Sequence, residues 1–266
     1  MSRIHPTAVI DARAELDGSV QVGPYVVIEG GVRIGADTRI GPHCYIVRGT
    51  TLGARNLLTA HCSIGTGPQD VKYGEVESRL QIGDDNVIRE FVSLNRGTPK
   101  EELLTRIGSR NLFMAGSHVG HDCVVGDNCI FVNCVLIAGH VHVGHNVVLS
   151  GFVGVNQFTT IGRCSYVGAA SRVVQDVPPF VKAAGDPAEV RMVNEVGMSR
   201  AGIAQPDIDE IKHVYRAIFR LGSSVMEEAH NLINDPSPCV RELAEALLKK
   251  EAGRFGRFRE SLRGQR

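Results

Sequence analysis

The chain contains no tryptophan, and aromatics make up only 5% of its 266 residues, so its core is not built on large rings. Neither sign of charge is in excess, because 29 basic side chains face 29 acidic ones. That balance removes any whole-chain electrostatic case for a nucleic-acid or membrane partner. No stretch approaches the roughly 18 apolar residues of a spanning helix, and no cationic segment leads into an apolar run at the N-terminus. We therefore expect no integral membrane segment. Paired C-x-x-C spacing is missing and the cysteine total, seven, is odd, which argues against a disulfide framework or a structural zinc site. The expected location is cytoplasmic.

What is present is a period of six. Isoleucine, leucine or valine falls on every sixth residue from Ile4 through Ile10, Leu16, Val22, Ile28, Ile34, Ile40, Ile46, Leu52 and Leu58 to Ile64. The period resumes at Ile82, Ile88 and Leu94, then runs from Ile107 and Phe113 to Val173. Such a hexapeptide repeat predicts a mainly β solenoid in which six residues make one short strand and one corner, and three units close a triangular coil. The residue after the aliphatic is often glycine, as at Gly23, Gly35, Gly41, Gly53, Gly65, Gly83, Gly126, Gly144, Gly162 and Gly168. We read these as corners that need backbone angles a side chain would penalise. Cys44, Cys62, Cys123 and Cys129 take the fourth position after a ladder residue, a small inward slot where a thiol acts as a compact apolar group.

The pattern turns helical from about residue 206. Ile208, Ile211, Tyr215 and Ile218 follow Pro206 at helical spacing, with Gly222 as a stop. Ser224-Val-Met-Glu227 reads as a capping box opening a second helix through about Ile233. Ser237 and Pro238 read as N-cap and first position of a third, carrying Val240, Leu243, Leu247 and Leu248. We divide the chain into a coil domain, 1–190, and a helical domain, 191–266. Arg254 to Arg266 hold five arginines, which read as a solvated, frayed tail rather than a site for an acidic partner.

Two polar insertions, near 66–81 and 97–106, must leave the smooth wall, and loops on a rigid scaffold are where function tends to sit. Gln69, Asp70 and Lys72 in the first offer amides and charges to a ligand. The ladder residue Val119 and the inward Cys123 put His121 on the outer wall, with Asp122 beside it. Histidine takes a proton near neutral pH, and a carboxylate can hold its tautomer and stabilise the imidazolium. One coil later, eighteen residues on, stacking brings Gly139 to His121, and its amide could face an oxyanion beside the base.

Ile4-His-Pro-Thr-Ala-Val, Gln69-Asp-Val-Lys-Tyr, Arg89-Glu, Arg96-Gly-Thr, His118-Val-Gly-His-Asp-Cys, Ala138-Gly-His, Gln157-Phe and Gln175-Asp-Val-Pro-Pro together resemble the acyl-(acyl carrier protein)–UDP-N-acetylglucosamine O-acyltransferases, which open lipid A biosynthesis. The resemblance implies a left-handed parallel β-helix homotrimer with active sites between subunits. It implies transfer of a 3-hydroxyacyl chain from acyl carrier protein to the glucosamine 3-hydroxyl of UDP-N-acetylglucosamine, with no metal and no cofactor besides the carrier thioester. By that likeness His121 is the general base, Asp122 its orienting partner and the Gly139 amide the oxyanion donor. Gln69, Asp70, Lys72, His118, His140 and Gln157 match substrate contacts, and Asn194 and Arg200 the nucleotide-binding stretch. Ala169 matches the residue that sets acyl length, where a methyl in place of hydrogen favours a shorter chain. Asn156, Val196 and Ala201 depart from the family pattern near these contacts. Arg216, Arg220 and Arg241 are candidates for carrier-protein docking.

Three other functions compete. The same base and scaffold would acylate the amine of a 3-amino sugar nucleotide. A zinc enzyme of the γ-carbonic anhydrase type would use the His140-x4-His145 spacing, although no histidine stands near residue 104 as the first ligand. A non-catalytic assembly subunit would need neither the His-Asp pair nor Lys72.

Overall fold

The computed structural model describes residues 4–74, 76–220 and 224–264. Twenty-five short strands, from β1 (Val9–Ile10) to β25 (Arg172–Val173), stack so that each third strand pairs in parallel. Val9 opposes Val27 and Ile10 opposes Ile28, and the same eighteen-residue register recurs up to Gly154 opposite Arg172, lengthened only where an insertion intervenes, as at Ser63 opposite Ser93 and Ser93 opposite His118. Three sheets result, and with them a left-handed parallel β-helix. The right-handed rule for parallel crossovers comes from twisted strands feeding a helix. Two-residue strands and four-residue corners remove that cause.

The ladder fills the interior: Ile28, Ile46, Leu58, Ile64, Ile88, Val119, Ile137 and Leu149 are at most 1% exposed. The stack continues one step beyond Val173, because Val177 bridges to Ile161 and Ala183 pairs with Val167. At the other end Ile4 stays exposed and Ile10 and Leu16 half-buried, since among the described residues no coil lies beyond them. The four slot cysteines are buried and all seven are free thiols. Burial pushes the Cys123 and Cys129 thiols up to about 12, so neither is a ready nucleophile.

The corner expectation needs correction. The left-handed residue is the third after the ladder position, as at Asp37 (φ 58°), His43 (58°), Arg55 (55°) and His61 (54°). Of the twelve glycines that directly follow a ladder residue, only Gly65 has positive φ, at 79°. The others supply room. A Cβ on Gly41 would stand 1.5 Å from the Thr59 carbonyl oxygen, and one on Gly35 2.7 Å from the Gly53 carbonyl carbon. Stacking at the interstrand spacing of about 4.8 Å leaves no space for a methyl there.

After the coil, β26 (Val181–Gly185) and β27 (Ala188–Val193) form an antiparallel hairpin attached to one sheet, so residue 190 falls inside its last strand. Helices α1 (Glu195–Arg200), α2 (Gln205–Arg220), α3 (Val225–Leu232) and α4 (Pro238–Ala252) follow. Ile208, Ile211, Tyr215, Ile218, Val240, Leu243 and Leu247 are buried in a second core that includes Phe180 and Cys164. Ser224 caps α3 by accepting from the Glu227 N–H at 3.4 Å. Ser237 precedes Pro238 at the start of α4 but makes no side-chain cap bond, its hydroxyl turning to Asp207 at 3.4 Å. Gly222 lies outside the described residues.

The arginine-rich tail is only partly solvated: Arg254 and Arg263 are exposed, Arg257 and Arg259 lie against the coil, and Arg266 is outside the described residues. Short α5 (Phe258–Ser261) is docked on the coil: the Phe258 N–H donates to Asp176 Oδ2 at 2.8 Å and Arg257 Nη1 to the Val174 carbonyl at 2.8 Å. Arg257 and Glu260 are both under a tenth exposed. Two buried carbonyl and carboxylate acceptors on the last coil outcompete water for these donors.

Candidate active site

Both insertions leave the coil at the same corner. The first connects β10 (Ser63–Thr66) to β11 (Arg79–Ile82), and the second connects β13 (Ser93–Asn95) to β14 (Leu104–Ile107). His121, Gly139–His140 and Gln157–Phe158 occupy that corner in the next three coils. One edge of the prism therefore carries both loops and the polar column beside them. They bound a groove of about 710 Å³ lined by Gln69, Asp70, Lys72, Lys100, His118, His121, Gly139, His140, Asn156 and Gln157 among others.

Asp122 is the buried hub of this edge. Its carboxylate accepts from the Thr98 N–H at 2.7 Å, the Thr98 hydroxyl at 2.6 Å and His121 Nδ1 at 2.8 Å. Its own N–H donates to Thr105 Oγ1 at 2.8 Å. A carboxylate so held fixes the proton on His121 Nδ1 and leaves Nε2 as the acceptor. His121 sits on the outer wall, as its spacing requires, yet its side chain is only 12% exposed, held by Asp122 and packed edge-on against His140.

Gly139 packs against the His121 ring. A Cβ there would stand 2.6 Å from His121 Nε2 and Cε1, so the imidazole occupies the space of the absent side chain. The Gly139 carbonyl accepts from Phe158 at 3.3 Å, whereas its N–H donates to nothing among the described residues. A free amide beside a histidine base is the arrangement that stabilises an oxyanion.

The other groove residues divide by environment. His118 Nδ1 lies 2.8 Å from Ser93 Oγ, and burial followed by the charge of His121 holds its pKa below the ordinary histidine value of 6.5. Asp70 accepts from Lys100 Nζ and from the Lys72 N–H, and these bonds, that to Lys100 first, pull its carboxyl below the usual range. The Asp70–Lys100 pair ties one insertion to the other. Lys72, Gln69 and Gln157 are exposed toward the opening. On the groove side of the adjacent sheet, His118, Leu136, Gly154 and Arg172 stack in register as a floor.

Three expected residues lie elsewhere in the chain. Asn194 is 5% exposed and committed to structure: Nδ2 donates to the Cys164 carbonyl at 2.8 Å and Oδ1 accepts from Gly197 at 3.3 Å as the cap of α1. Arg200 is exposed at the end of α1, and Ala169 is exposed on another corner, outside the groove lining. Of the docking arginines, Arg216 is exposed, Arg241 is bound to the Asp235 and Pro236 carbonyls, and the side chain of Arg220 is outside those described. Thr98, Glu101, Lys100 and Arg259 are parts of the site with no expected role. Thr98 stood within a quoted motif, but nothing local to it signals a carboxylate one coil away.

His121, Asp122 and His140 have metal-capable atoms within 4.8 Å of one another. Each Nδ1 there already faces a carboxylate, and both Asp122 oxygens accept hydrogen bonds. His145 takes a different corner, accepting from the Asp127 N–H at 2.9 Å with 59% of its side chain exposed.

A hexapeptide coil with a carboxylate-held histidine against a free glycine amide defines a hexapeptide-repeat transferase. Residues 104–139 match the family described as bacterial transferase hexapeptide, and residues 176–255 match domain 2 of UDP-N-acetylglucosamine O-acyltransferase. An acyl-(acyl carrier protein)–UDP-N-acetylglucosamine O-acyltransferase from Alkalilimnicola ehrlichii is 52% identical over 255 residues, 95% of this chain and 99% of that one. The protein of that name from Pseudomonas fluorescens Pf0-1 is 49% identical over 92% of this chain and 94% of its own. The solved structure of LpxA from Acinetobacter baumannii superposes with a TM-score of 0.88 at 39% identity, covering 93% of this chain and 97% of that one. The Campylobacter jejuni UDP-N-acetylglucosamine acyltransferase gives 0.88 at 33% identity, covering 92% and 96%. The chain belongs to the acyl-(acyl carrier protein)–UDP-N-acetylglucosamine O-acyltransferase family. That membership sets aside the zinc-enzyme and assembly-subunit readings.

Proposed function

We propose that this protein transfers a 3-hydroxyacyl chain from the thioester of acyl carrier protein to the 3-hydroxyl of the glucosamine unit of UDP-N-acetylglucosamine, the first step of lipid A biosynthesis. The observation that carries the reading is the Thr98–Asp122–His121 chain ending beside the unpartnered Gly139 N–H. His121 Nε2 takes the proton of the sugar hydroxyl as its oxygen attacks the thioester carbonyl. The Gly139 N–H receives the negative charge on the carbonyl oxygen. As the C–S bond breaks, the imidazolium returns its proton to the leaving thiolate. Asp122 stabilises the imidazolium throughout. A positioned base is worth about 10²- to 10⁴-fold and an oxyanion donor about 10²- to 10³-fold.

The thioester is already activated, so this sequence of steps needs neither metal nor further cofactor. Gln69, Asp70, Lys72, His118, His140 and Gln157 contact the sugar nucleotide, and the apolar Leu136 with the small Gly154 gives the acyl chain a floor. Arg200 is suited to the pyrophosphate. Because Arg200 and Ala169 stand away from the groove of their own chain, they serve a neighbouring subunit's site in a homotrimer. Val9, Val27, Tyr45 and Leu136, exposed on one sheet, are the apolar face such an assembly would cover. No described helix is long and apolar enough to cross a membrane. Seven free cysteines suit the reducing cytoplasm, where we place the reaction.

The test is incubation of purified protein with UDP-N-acetylglucosamine and a panel of 3-hydroxyacyl carrier proteins, read by mass spectrometry. A monoacylated sugar nucleotide made by the native protein, lost in His121→Ala and unaffected by chelator, supports the reading. No product from any donor, or product only with a 3-amino acceptor, refutes it.

A further inference from the structure

The docked tail reaches the site. Arg259 of α5 keeps only 12% of its side chain exposed and directs each guanidinium nitrogen at a different group. Nη2 donates to Glu101 Oε1 at 2.8 Å, Nε to the His140 carbonyl at 3.3 Å, and Nη1 lies 3.3 Å from His142 Nδ1. The same Glu101 oxygen stands 3.1 Å from His140 Nδ1, and Asp122 Oδ2 is 3.8 Å from that nitrogen. Two carboxylates therefore face one side of the His140 ring. Both require the proton on Nδ1, which leaves Nε2 as the acceptor.

The ring is fixed by its neighbours as well. Phe158 stacks on it at 4.3 Å with planes 6° apart, and His121 meets it edge-on at 4.9 Å. Its backbone is left-handed, φ 64°, a conformation disfavoured for a residue other than glycine. Arg259 binds the carbonyl of that residue directly. Its charge also offsets the second carboxylate. Without it, two uncompensated carboxylates would face the ring.

We propose that Arg259 is a positioning residue for the transfer site: by clamping Glu101 and the His140 carbonyl, it fixes the neutral Nδ1–H tautomer and the ring plane of His140, so that Nε2 accepts from the sugar nucleotide beside His121. The inference rests on the acyl-transfer reading for what His140 touches, although the tautomer itself can be measured without substrate. It assigns the C-terminal segment to the active site rather than to packing alone. The charged and titratable groups facing His140 are Glu101, Asp122, His121, His142 and Arg259.

The experiment compares Arg259→Met and Arg259→Lys with the native full-length protein by melting temperature, steady-state kinetics across pH and ¹⁵N NMR of the histidine rings. Arg259→Met is expected to lose 10- to 100-fold in kcat, the scale of a small misplacement of a positioned group. The acidic limb of its pH profile should move to higher pH, and the His140 signals should leave the Nδ1–H neutral pattern. Arg259→Lys, which keeps the charge, should restore the pH limb and part of kcat. A folded Arg259→Met with native kcat, pH profile and His140 signals overturns the proposal. Should that variant not fold, Glu101→Gln carries the same test, and its having a native pH limb and native His140 signals is equally fatal. Native protein that transfers no acyl chain refutes the functional reading, while the NMR comparison still decides the clamp.

Discussion

Thr98 grips Asp122 twice, through its backbone N–H at 2.7 Å and its hydroxyl at 2.6 Å, from an insertion that the hexapeptide period alone marks as an interruption. The second insertion thus supports the Asp122 carboxylate. Removing the hydroxyl while keeping the shape isolates that support. Thr98→Val should lower kcat about 10-fold or more, with little change in KM, because a hydrogen bond to a charged group contributes roughly 1.5 to 3 kcal/mol. Steady-state kinetics beside a thermal melt checks this, and an equal fall in both sugar-nucleotide affinity and kcat would count against it.

Gly139→Ala tests the close approach to the base. The new methyl would stand 2.6 Å from the His121 ring, which must rotate away from its working position. We expect kcat to fall on the order of 10²-fold. The melting cost should be large in the native background and small in His121→Ala, because removing the ring removes the clash. A four-variant thermodynamic cycle measures that coupling.

The stacking glycines yield a paired prediction. Gly41→Ala places a Cβ 1.5 Å from the Thr59 carbonyl oxygen, while a Cβ on Gly18 meets nothing within 4 Å. Gly41→Ala should abolish or severely lower the yield of folded protein. Gly18→Ala should be neutral or stabilising by about 0.4 to 1 kcal/mol. Circular dichroism melts of the two are sufficient.

Half-buried His118 gives the stability a pH dependence of known sign. Its folded pKa lies below 6.5, so the unfolded chain binds more protons there. Its contribution is complete above 6.5, falls as pH drops from 6.5 toward the lowered value, and levels off below it. His118→Gln should flatten that part of the curve, measured as urea midpoints on either side of 6.5.

The tie between the insertions concerns binding more than stability. Lys100 is 43% exposed, and exposed pairs contribute only about 0 to 1 kcal/mol. Lys100→Met should therefore leave the melting temperature nearly unchanged and raise KM for the sugar nucleotide several-fold by loosening Asp70 and Lys72.

Much of this was legible in the residues. The six-residue ladder dictates the coil, the inward cysteines, and the side of the wall on which His121 lies. Eighteen-residue stacking brings Gly139 to it. What the period could not reveal is which conformation each corner adopts, since glycine after Ile40 and aspartate three residues after Ile34 both mark a corner and only the second is left-handed. Contacts from outside the period were equally hidden. Glu101 and Arg259 meet because the tail folds back on the last coil, held by Asp176, and neither composition nor spacing encodes that return.

The placement of the reacting groups on one edge of a prism also bears on how such a chain can evolve. Thr98, His121, Gly139 and Gln157 are consecutive storeys of a single column, and every storey below Thr50 repeats the same register without touching them. A duplication of eighteen residues within the first coils would lengthen the rod and leave the chemistry where it is. The same duplication between His121 and Gly139 would put an extra storey between imidazole and amide. Rod length can change at one end without moving these residues, whereas the order of storeys at the other decides which of them touch.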